Sequence, residues 1–168
     1  MKNIYLIGFM GAGKSTIGAR MAQMYGLEIV EMDQLIAKRE GMGITEIFSQ
    51  KGEPYFRERE SGLLKEIGLG NNKIVSCGGG VVLCDENVQC MKKSGSIVLL
   101  NAKPNTILER INGDDSRPLL YGKKTVESIE TLMMQRKNRY ECTADYAIQT
   151  DGKTVDAICK EIFDKIGE

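Results

Sequence analysis

The stretch GFMGAGKS, residues 8–15, decides the fold of this chain because it fits the phosphate-binding pattern G-x-x-x-x-G-K-[ST]. That pattern requires a strand before it and a helix after it. The apolar run Asn3–Ile7 and the amphipathic segment Lys14–Tyr25 are predicted to supply them. The glycines let successive backbone N–H groups turn toward phosphate oxygens, and the helix N-terminus adds partial positive charge. The stretch therefore predicts a site for a nucleoside triphosphate.

The side chains of this loop have expected roles. Lys14 is expected to reach the β- and γ-phosphates, and the Ser15 hydroxyl is expected to ligate Mg²⁺. The residues of this segment predicted to bind ATP are Gly11, Ala12, Gly13, Lys14, Ser15 and Thr16. A guanine-reading N-K-x-D is missing, since residues 72–75 read NKIV, and a GTPase switch is therefore not expected.

Short apolar runs alternate with helix-length amphipathic segments along the chain, as in successive βαβ units. Strands are predicted over residues 3–7, 27–31, 73–77, 96–100 and 146–149. Helices are predicted over residues 14–25, 33–40 with Asp33 as the N-cap, 45–50, 53–67, 85–93, 105–111, 126–140 and 155–166. We expect a three-layer α/β fold of the P-loop NTPase and nucleoside-monophosphate-kinase type, in which helices cover both faces of a five-stranded parallel sheet.

The domain organisation expected from the sequence is a single domain over residues 1–168. A substrate-binding subregion is predicted at about residues 31–62. Residues 112–124 are polar and lack periodicity, and they are predicted to form a lid.

Composition limits the function further. The 23 basic and 23 acidic residues cancel, so no global field attracts nucleic acid or a membrane surface. The chain has no histidine, which excludes Ser-His-Asp and Cys-His triads and leaves acid–base work to carboxylate, Lys, Tyr or Cys. The five cysteines are odd in number and form no C-x-x-C pair, which predicts reduced thiols and a cytoplasmic protein.

Five further segments accompany the phosphate loop, in an order and spacing that together are specific. They are Glu31-Met32-Asp33, Phe56-Arg57-x-x-Glu60, Gly78-Gly79-Gly80, Arg117-Pro118-Leu119-Leu120 and Arg136-x-x-x-Tyr140. With these segments, almost the whole chain resembles the shikimate kinase family. The resemblance implies Mg²⁺-dependent transfer of the ATP γ-phosphoryl group to the 3-hydroxyl of shikimate, giving shikimate 3-phosphate and ADP in aromatic amino acid biosynthesis. ATP and shikimate are then the partners, and the protein is expected to be a monomer.

The acidic pair follows the second predicted strand. Asp33 lies just past the strand end, where a carboxylate can orient the attacking hydroxyl and accept its proton; its alternative role is that of a helix N-cap. Glu31 shares its face of the strand and is the second predicted metal residue beside Ser15. The family usually has Asp at the position of Glu31, so either the water shell of Mg²⁺ shifts or the Glu31 side chain points elsewhere.

The resemblance also implies the substrate-binding residues. Arg57 and Arg136 would hold the shikimate carboxylate, with Glu60 orienting Arg57, and Arg139 is the alternative to Arg136. Gly79 would donate its N–H to the substrate. The glycine triplet is interpreted as a close approach of the backbone to a ligand rather than as a packing feature.

Three cations complete the predicted nucleotide site. Arg117, within the aperiodic segment, is the candidate lid arginine that reaches the transferring phosphoryl group. Arg110 is similar to the family's adenine-stacking arginine, and Lys153 falls near the loop that borders adenine, although surface roles are an alternative for both.

Two other functions stay open at this point. One is a P-loop kinase for another small acceptor, such as gluconate or a nucleoside monophosphate. The other is a nucleotide-binding regulatory module without catalysis.

Overall fold

The computed structural model describes residues 1–112 and 125–167, and these form a five-stranded parallel sheet in the order β2-β3-β1-β4-β5. The strands are β1 Asn3–Ile7, β2 Glu28–Glu31, β3 Lys73–Ser76, β4 Gly95–Asn101 and β5 Tyr146–Gln149. β1 is buried along its whole length, whereas the edge strands β2 and β5 are partly exposed. This burial explains why β1 is continuously apolar apart from Asn3, whose side-chain amide donates to the carbonyl oxygens of Ile67 and Gly70.

The helices lie between the strands and after the last one. They are α1 Lys14–Tyr25, α2 Met32–Glu40, α3 Ile44–Lys51, α4 Glu53–Gly68, a 3₁₀ helix Val81–Leu83, α5 Asp85–Ser94, α6 Pro104–Ile111, α7 Val126–Thr143 and α8 Val155–Gly167. The connection through α1 runs along the sheet in the opposite direction to those through α4, α5 and α7. Right-handed crossovers therefore place α1 on the opposite face. In agreement, α1 packs with α8, and α4 packs with α5. The predicted fold class is confirmed.

The topology determines where a ligand can bind. β1 lies between β3 and β4, so the chain leaves β1 toward one half of the sheet and later returns to build the other half. In open parallel sheets, ligands bind at the carboxyl ends of the strands beside such a switch point. The segments that follow β1, β2 and β3 all lie at this edge, and they contain the phosphate loop, Asp33 and the glycine triplet.

The predicted N-cap at Asp33 is wrong. α2 begins at Met32, its N-cap is Glu31, and Asp33 is the second residue of the helix. β2 passes directly into α2 without a loop, which moves the helix start one residue earlier than the sequence pattern suggests. In the first turn, Asp33 complements the helix dipole.

Smaller differences concern the ends of elements. The 3₁₀ helix Val81–Leu83 was not predicted, and α7 continues to Thr143 instead of ending near Tyr140. The segment predicted as a lid, with Arg117, lies outside the described residues from position 113 onward. No helix among the described residues is both long and apolar enough to cross a membrane.

Candidate active site

A cavity of about 550 Å³ lies at the carboxyl ends of β1, β2 and β3. Residues from the phosphate loop, the acidic pair, α4, the glycine triplet and α7 all line it. Its wall near α3 and α4 is apolar and includes Ile44, Phe48 and Phe56. Segments far apart in the sequence thus converge on one volume large enough for small molecules.

The phosphate loop lines part of this cavity. Gly13, immediately before α1, has a left-handed backbone with φ of 100°, a conformation that glycine adopts without steric cost. The Lys14 ammonium donates to the carbonyl oxygens of Gly8 at 2.8 Å and Phe9 at 2.9 Å. The loop backbone therefore holds the Lys14 side chain over the loop, beside the N-terminus of α1.

Oxygen ligands of the kind that Mg²⁺ prefers meet beside the loop. The Ser15 hydroxyl donates to Glu31 Oε2 at 2.8 Å, and the Ser76 hydroxyl oxygen lies 3.3 Å from that of Ser15. Glu31 and Ser76 are direct partners in the pairing of β2 with β3, which brings their side chains together. The Glu31 side chain thus points to the predicted metal position despite its extra methylene.

This donor set fits a magnesium ion that keeps most of its own water. The part of the chain that the structure describes holds no group of three or more acidic, Cys or His side chains placed to bind a metal. Mg²⁺ in phosphoryl-transfer sites is commonly bound by one or two protein oxygens together with waters and substrate phosphates.

The cavity lining also contains an ion pair with a buried carboxylate. Glu60, on α4, has 0% side-chain exposure, and its Oε1 accepts a hydrogen bond from Arg57 Nη1 at 3.0 Å. Glu53 contacts the same guanidinium from the outer side at 3.1 Å. The pKa of Glu60 is raised to about 7, mainly by burial and also by the nearby Asp33, against the opposing effects of Arg57 and Arg136.

The glycine triplet packs against these charged groups. A Cβ at Gly78 would lie 2.6 Å from Glu60 Oε2 and 2.9 Å from Asp33 Oδ1. A Cβ at Gly80 would lie 2.6 Å from Arg57 Cζ. The interpretation that packing plays no part in the triplet is therefore wrong at Gly78 and Gly80, where any side chain would displace a charged group of the site. At Gly79 the nearest atom to such a Cβ is Arg136 Nη1, at 3.3 Å.

The structure separates the two candidate arginines of α7. Arg136 is 5% exposed and lines the cavity. The Tyr140 hydroxyl, one turn later, accepts a hydrogen bond from Arg136 and donates one to the Gly79 carbonyl oxygen at 2.5 Å. Arg139 instead donates to the Val82 carbonyl oxygen at 2.6 Å and pairs with Asp85 at 2.7 Å, outside the cavity lining.

The remaining predicted cations have different positions. Arg110, in the last turn of α6, lines the cavity and donates to the Gly11 carbonyl oxygen of the phosphate loop at 3.0 Å. Lys153 follows β5 and pairs with Glu161 of α8 at 2.6 Å, and it does not line the cavity. Arg117 lies in the segment that is not described.

Two contributors were not identified from the sequence. Ser76 was overlooked because a serine at the end of a buried strand has no distinctive pattern, although its place before the glycine triplet puts it at the ligand edge. Glu53 was overlooked as part of the Arg57 environment, although its i,i+4 spacing to Arg57 on a helix is a usable signal.

The titration of Glu60 predicts how stability depends on pH. The pKa of Glu60 rises from an ordinary 4.5 to about 7 on folding, so the associated stability is complete below pH 4.5 and is lost as the pH rises through 7. At about 1.4 kcal/mol per pKa unit, we expect the free energy of unfolding to fall by about 3 kcal/mol across this window, relative to Glu60→Gln.

Urea unfolding of both proteins at several pH values between 4.5 and 8 measures this difference. Glu58→Gln is the matched control, because Glu58 lies on the same helix with a side chain 71% exposed. A difference between wild type and Glu60→Gln that does not change with pH would contradict the expectation.

The fold and the cavity together define the class of protein. A phosphate loop between β1 and α1 lies beside a hydroxyl–carboxylate metal position, and the same cavity is lined by two arginines and a buried carboxylate. This is the arrangement of a P-loop kinase that transfers a phosphoryl group to a small acceptor.

Comparison with known proteins names the family. The model of the shikimate kinase family matches residues 10–167. The shikimate kinase of Sulfurihydrogenibium sp. (strain YO3AOP1) is 45% identical and covers 99% of this chain and 98% of its own length. That of Persephonella marina is 43% identical, with 99% of both chains covered. The solved structure of shikimate kinase from Acinetobacter baumannii in complex with shikimate is 32% identical, with a TM-score of 0.94 over 99% of this chain and 93% of that one.

The chain belongs to the shikimate kinase family, and the resemblance found in the sequence is confirmed. It is an ATP-dependent kinase of the P-loop class.

Proposed function

We propose that this protein transfers the γ-phosphoryl group of ATP to the 3-hydroxyl of shikimate, releasing shikimate 3-phosphate and ADP. The observation that carries the proposal is a single cavity lined by the phosphate loop together with Arg57, Arg136 and Asp33. Shikimate carries a carboxylate and hydroxyl groups on a small ring. The two arginines can bind the shikimate carboxylate, whereas a neutral acceptor would give these two cations no anion to bind.

Asp33 is the proposed base. Its Oδ1 lies beside Gly78 at the carboxyl end of β3, in the half of the cavity that contains Arg57 and Arg136. A hydroxyl held there can donate its hydrogen bond to Asp33 and release its proton to the carboxylate as the new O–P bond forms. The N–H of Gly79 is the proposed backbone contact to the substrate, and Tyr140 holds the carbonyl of the same residue.

The phosphate loop and the groups beside it are proposed to counter the charge of the ATP phosphates. The proposed nucleotide contacts are the backbone N–H groups of residues 11–16 and the Lys14 ammonium, with Arg110 beside the loop. Ser15 and Glu31 would hold Mg²⁺, with Ser76 next to them. When bound, the ion neutralises the charge that develops on the phosphate oxygens.

Other parts of the proposal rest on the sequence. We keep Arg117 as the residue that covers the phosphoryl group from the segment 112–124, and Lys153 as a neighbour of the adenine ring. Residues 31–62, which supply Glu31, Asp33, Arg57 and Glu60, are the proposed substrate-binding subregion of one domain spanning residues 1–168. We also propose a cytoplasmic monomer, and the five free cysteines support a reducing location.

An acceptor panel tests the proposed function. ADP release with Mg²⁺ and ATP is measured with shikimate, gluconate and nucleoside monophosphates, each at the same concentration. We expect turnover that depends on shikimate and exceeds that with the other acceptors by a hundredfold or more. Retained ATP binding without shikimate-dependent turnover would contradict the proposal and favour a regulatory module, whereas faster turnover with gluconate or a nucleotide would indicate a different kinase.

A further inference from the structure

One oxygen of the buried Glu60 side chain has an unusual environment. Oε1 is engaged by Arg57, but Oε2 is buried and accepts no hydrogen bond from any residue within 1–112 or 125–167. Oε2 and Asp33 Oδ1 lie 2.6 Å and 2.9 Å, respectively, from the same point beside the Gly78 Cα. Two carboxyl groups therefore lie next to each other in a site with little access to water, where a proton between them is favourable.

The charges facing Glu60 come from several elements. Arg57 on α4 and Arg136 on α7 are cationic, Asp33 on α2 is anionic, and the neutral groups near it are the Cys77 thiol and the Tyr140 hydroxyl. Outside this group, the half-exposed Glu53 pairs with Arg57. Arg57 and Arg136 are thus the cations that favour the ionised form of Glu60.

A substrate carboxylate weakens this effect. If it binds to Arg57 and Arg136, it competes with Glu60 for these two cations, and part of the attraction that keeps Glu60 ionised is lost. The substrate carboxyl group itself remains ionised near neutral pH, because ordinary carboxyl pKa values lie near 4. A proton taken up from solvent can offset the negative charge that the substrate carboxylate adds to the site.

We infer that Glu60 takes up one proton when an anionic substrate binds to Arg57, an inference that rests on the proposed function. The proton binds to Oε2, and the resulting O–H group can donate a hydrogen bond to the neighbouring Asp33 Oδ1. Arg57 is then released from its ion pair with Glu60 to face the substrate. Glu60 is thus a positioning residue that couples substrate binding to protonation.

The free protein is ready for this step near neutral pH. Burial already raises the pKa of Glu60 to about 7, so a further rise on binding places the proton uptake between pH 7 and the new, higher value. Within that window the Kd for shikimate is expected to increase with pH, by up to about tenfold per pH unit for uptake of one proton.

Calorimetric titration of the full chain with shikimate, without nucleotide, measures the uptake directly. Titrations at pH 7.5 in buffers with different ionisation enthalpies give the number of protons bound. We expect a value of up to about 0.75 for wild type and for Glu58→Gln, because about a quarter of Glu60 is already protonated at this pH, and near zero for Glu60→Gln, with a Kd that no longer depends on pH. Difference infrared spectra should show a protonated carboxyl band gained on binding in wild type and missing in Glu60→Gln.

Two results would overturn the inference. Wild-type binding without proton uptake or without the infrared band would do so whether or not Glu60→Gln folds, and so would unchanged uptake in a folded Glu60→Gln. These outcomes differ from a failure of the proposed function, in which shikimate gives neither binding heat nor turnover.

Discussion

Asp33→Asn is expected to lower kcat by about 10²- to 10⁴-fold, the range by which a positioned general base accelerates a reaction. Asparagine has nearly the same shape and keeps an oxygen that can accept the substrate hydrogen bond, but it cannot take the proton. The KM for ATP should change little, because the proposed role of Asp33, which lies beside Gly78 and Glu60, is toward the acceptor hydroxyl and not toward the nucleotide.

Steady-state kinetics with ATP and shikimate measure this effect, and calorimetry of shikimate binding separates chemistry from affinity. Asp156→Asn is the matched control, because Asp156 is an exposed aspartate of α8 that pairs with Arg20. A kcat within threefold of wild type in Asp33→Asn would remove this carboxylate from the chemistry.

Arg136→Met is expected to raise the KM for shikimate by about a hundredfold or more, while the KM for ATP stays nearly constant. Removing one partner of a buried charge pair typically costs 2–5 kcal/mol, and each 1.4 kcal/mol is about tenfold in affinity. Methionine fills similar space without the charge, so the substrate carboxylate would lose a partner that is 5% exposed and faces the cavity.

Arg139→Met is the matched control, three positions further along the same helix. Arg139 is engaged with Val82 and Asp85, so its loss should affect thermal stability more than the KM for shikimate. The reverse pattern, a large KM effect in Arg139→Met and none in Arg136→Met, would contradict the assignment of the carboxylate clamp.

The sequence predicted the sheet well because its signals are local. β1, α1 and β5 have the predicted ends, and the other strands and helices differ mostly by one or two residues. Each of these signals determines the structure of the residues next to it, so no knowledge of distant contacts was needed. The signals are the apolar runs, the glycine at the end of α1 and the phosphate loop.

The choice between Arg136 and Arg139 was also within reach of the sequence. The buried positions of α7 are Ile129, Arg136, Tyr140 and Thr143, a single stripe with helical spacing. Arg136 lies on this stripe and Arg139 does not.

Other features depend on contacts between distant segments and could not be read from local patterns. The burial of Glu60 requires α4, Asp33 and the glycine triplet to meet, and only then does its pKa rise. The same contacts explain why Gly78 and Gly80 are glycines, because a side chain at either position would clash with the charged groups. The start of α2 was misjudged for a related reason, since the direct passage from β2 into α2 is a property of the folded backbone.

The most direct test of the central claim identifies the product. Phosphorus–proton correlation spectra of the reaction of the protein with ATP, Mg²⁺ and shikimate show which hydroxyl has been phosphorylated. The account predicts one new phosphate monoester, coupled to the proton at carbon 3 of shikimate, formed together with an equal amount of ADP. A phosphate at another position, or ADP without a phosphorylated shikimate, would contradict it.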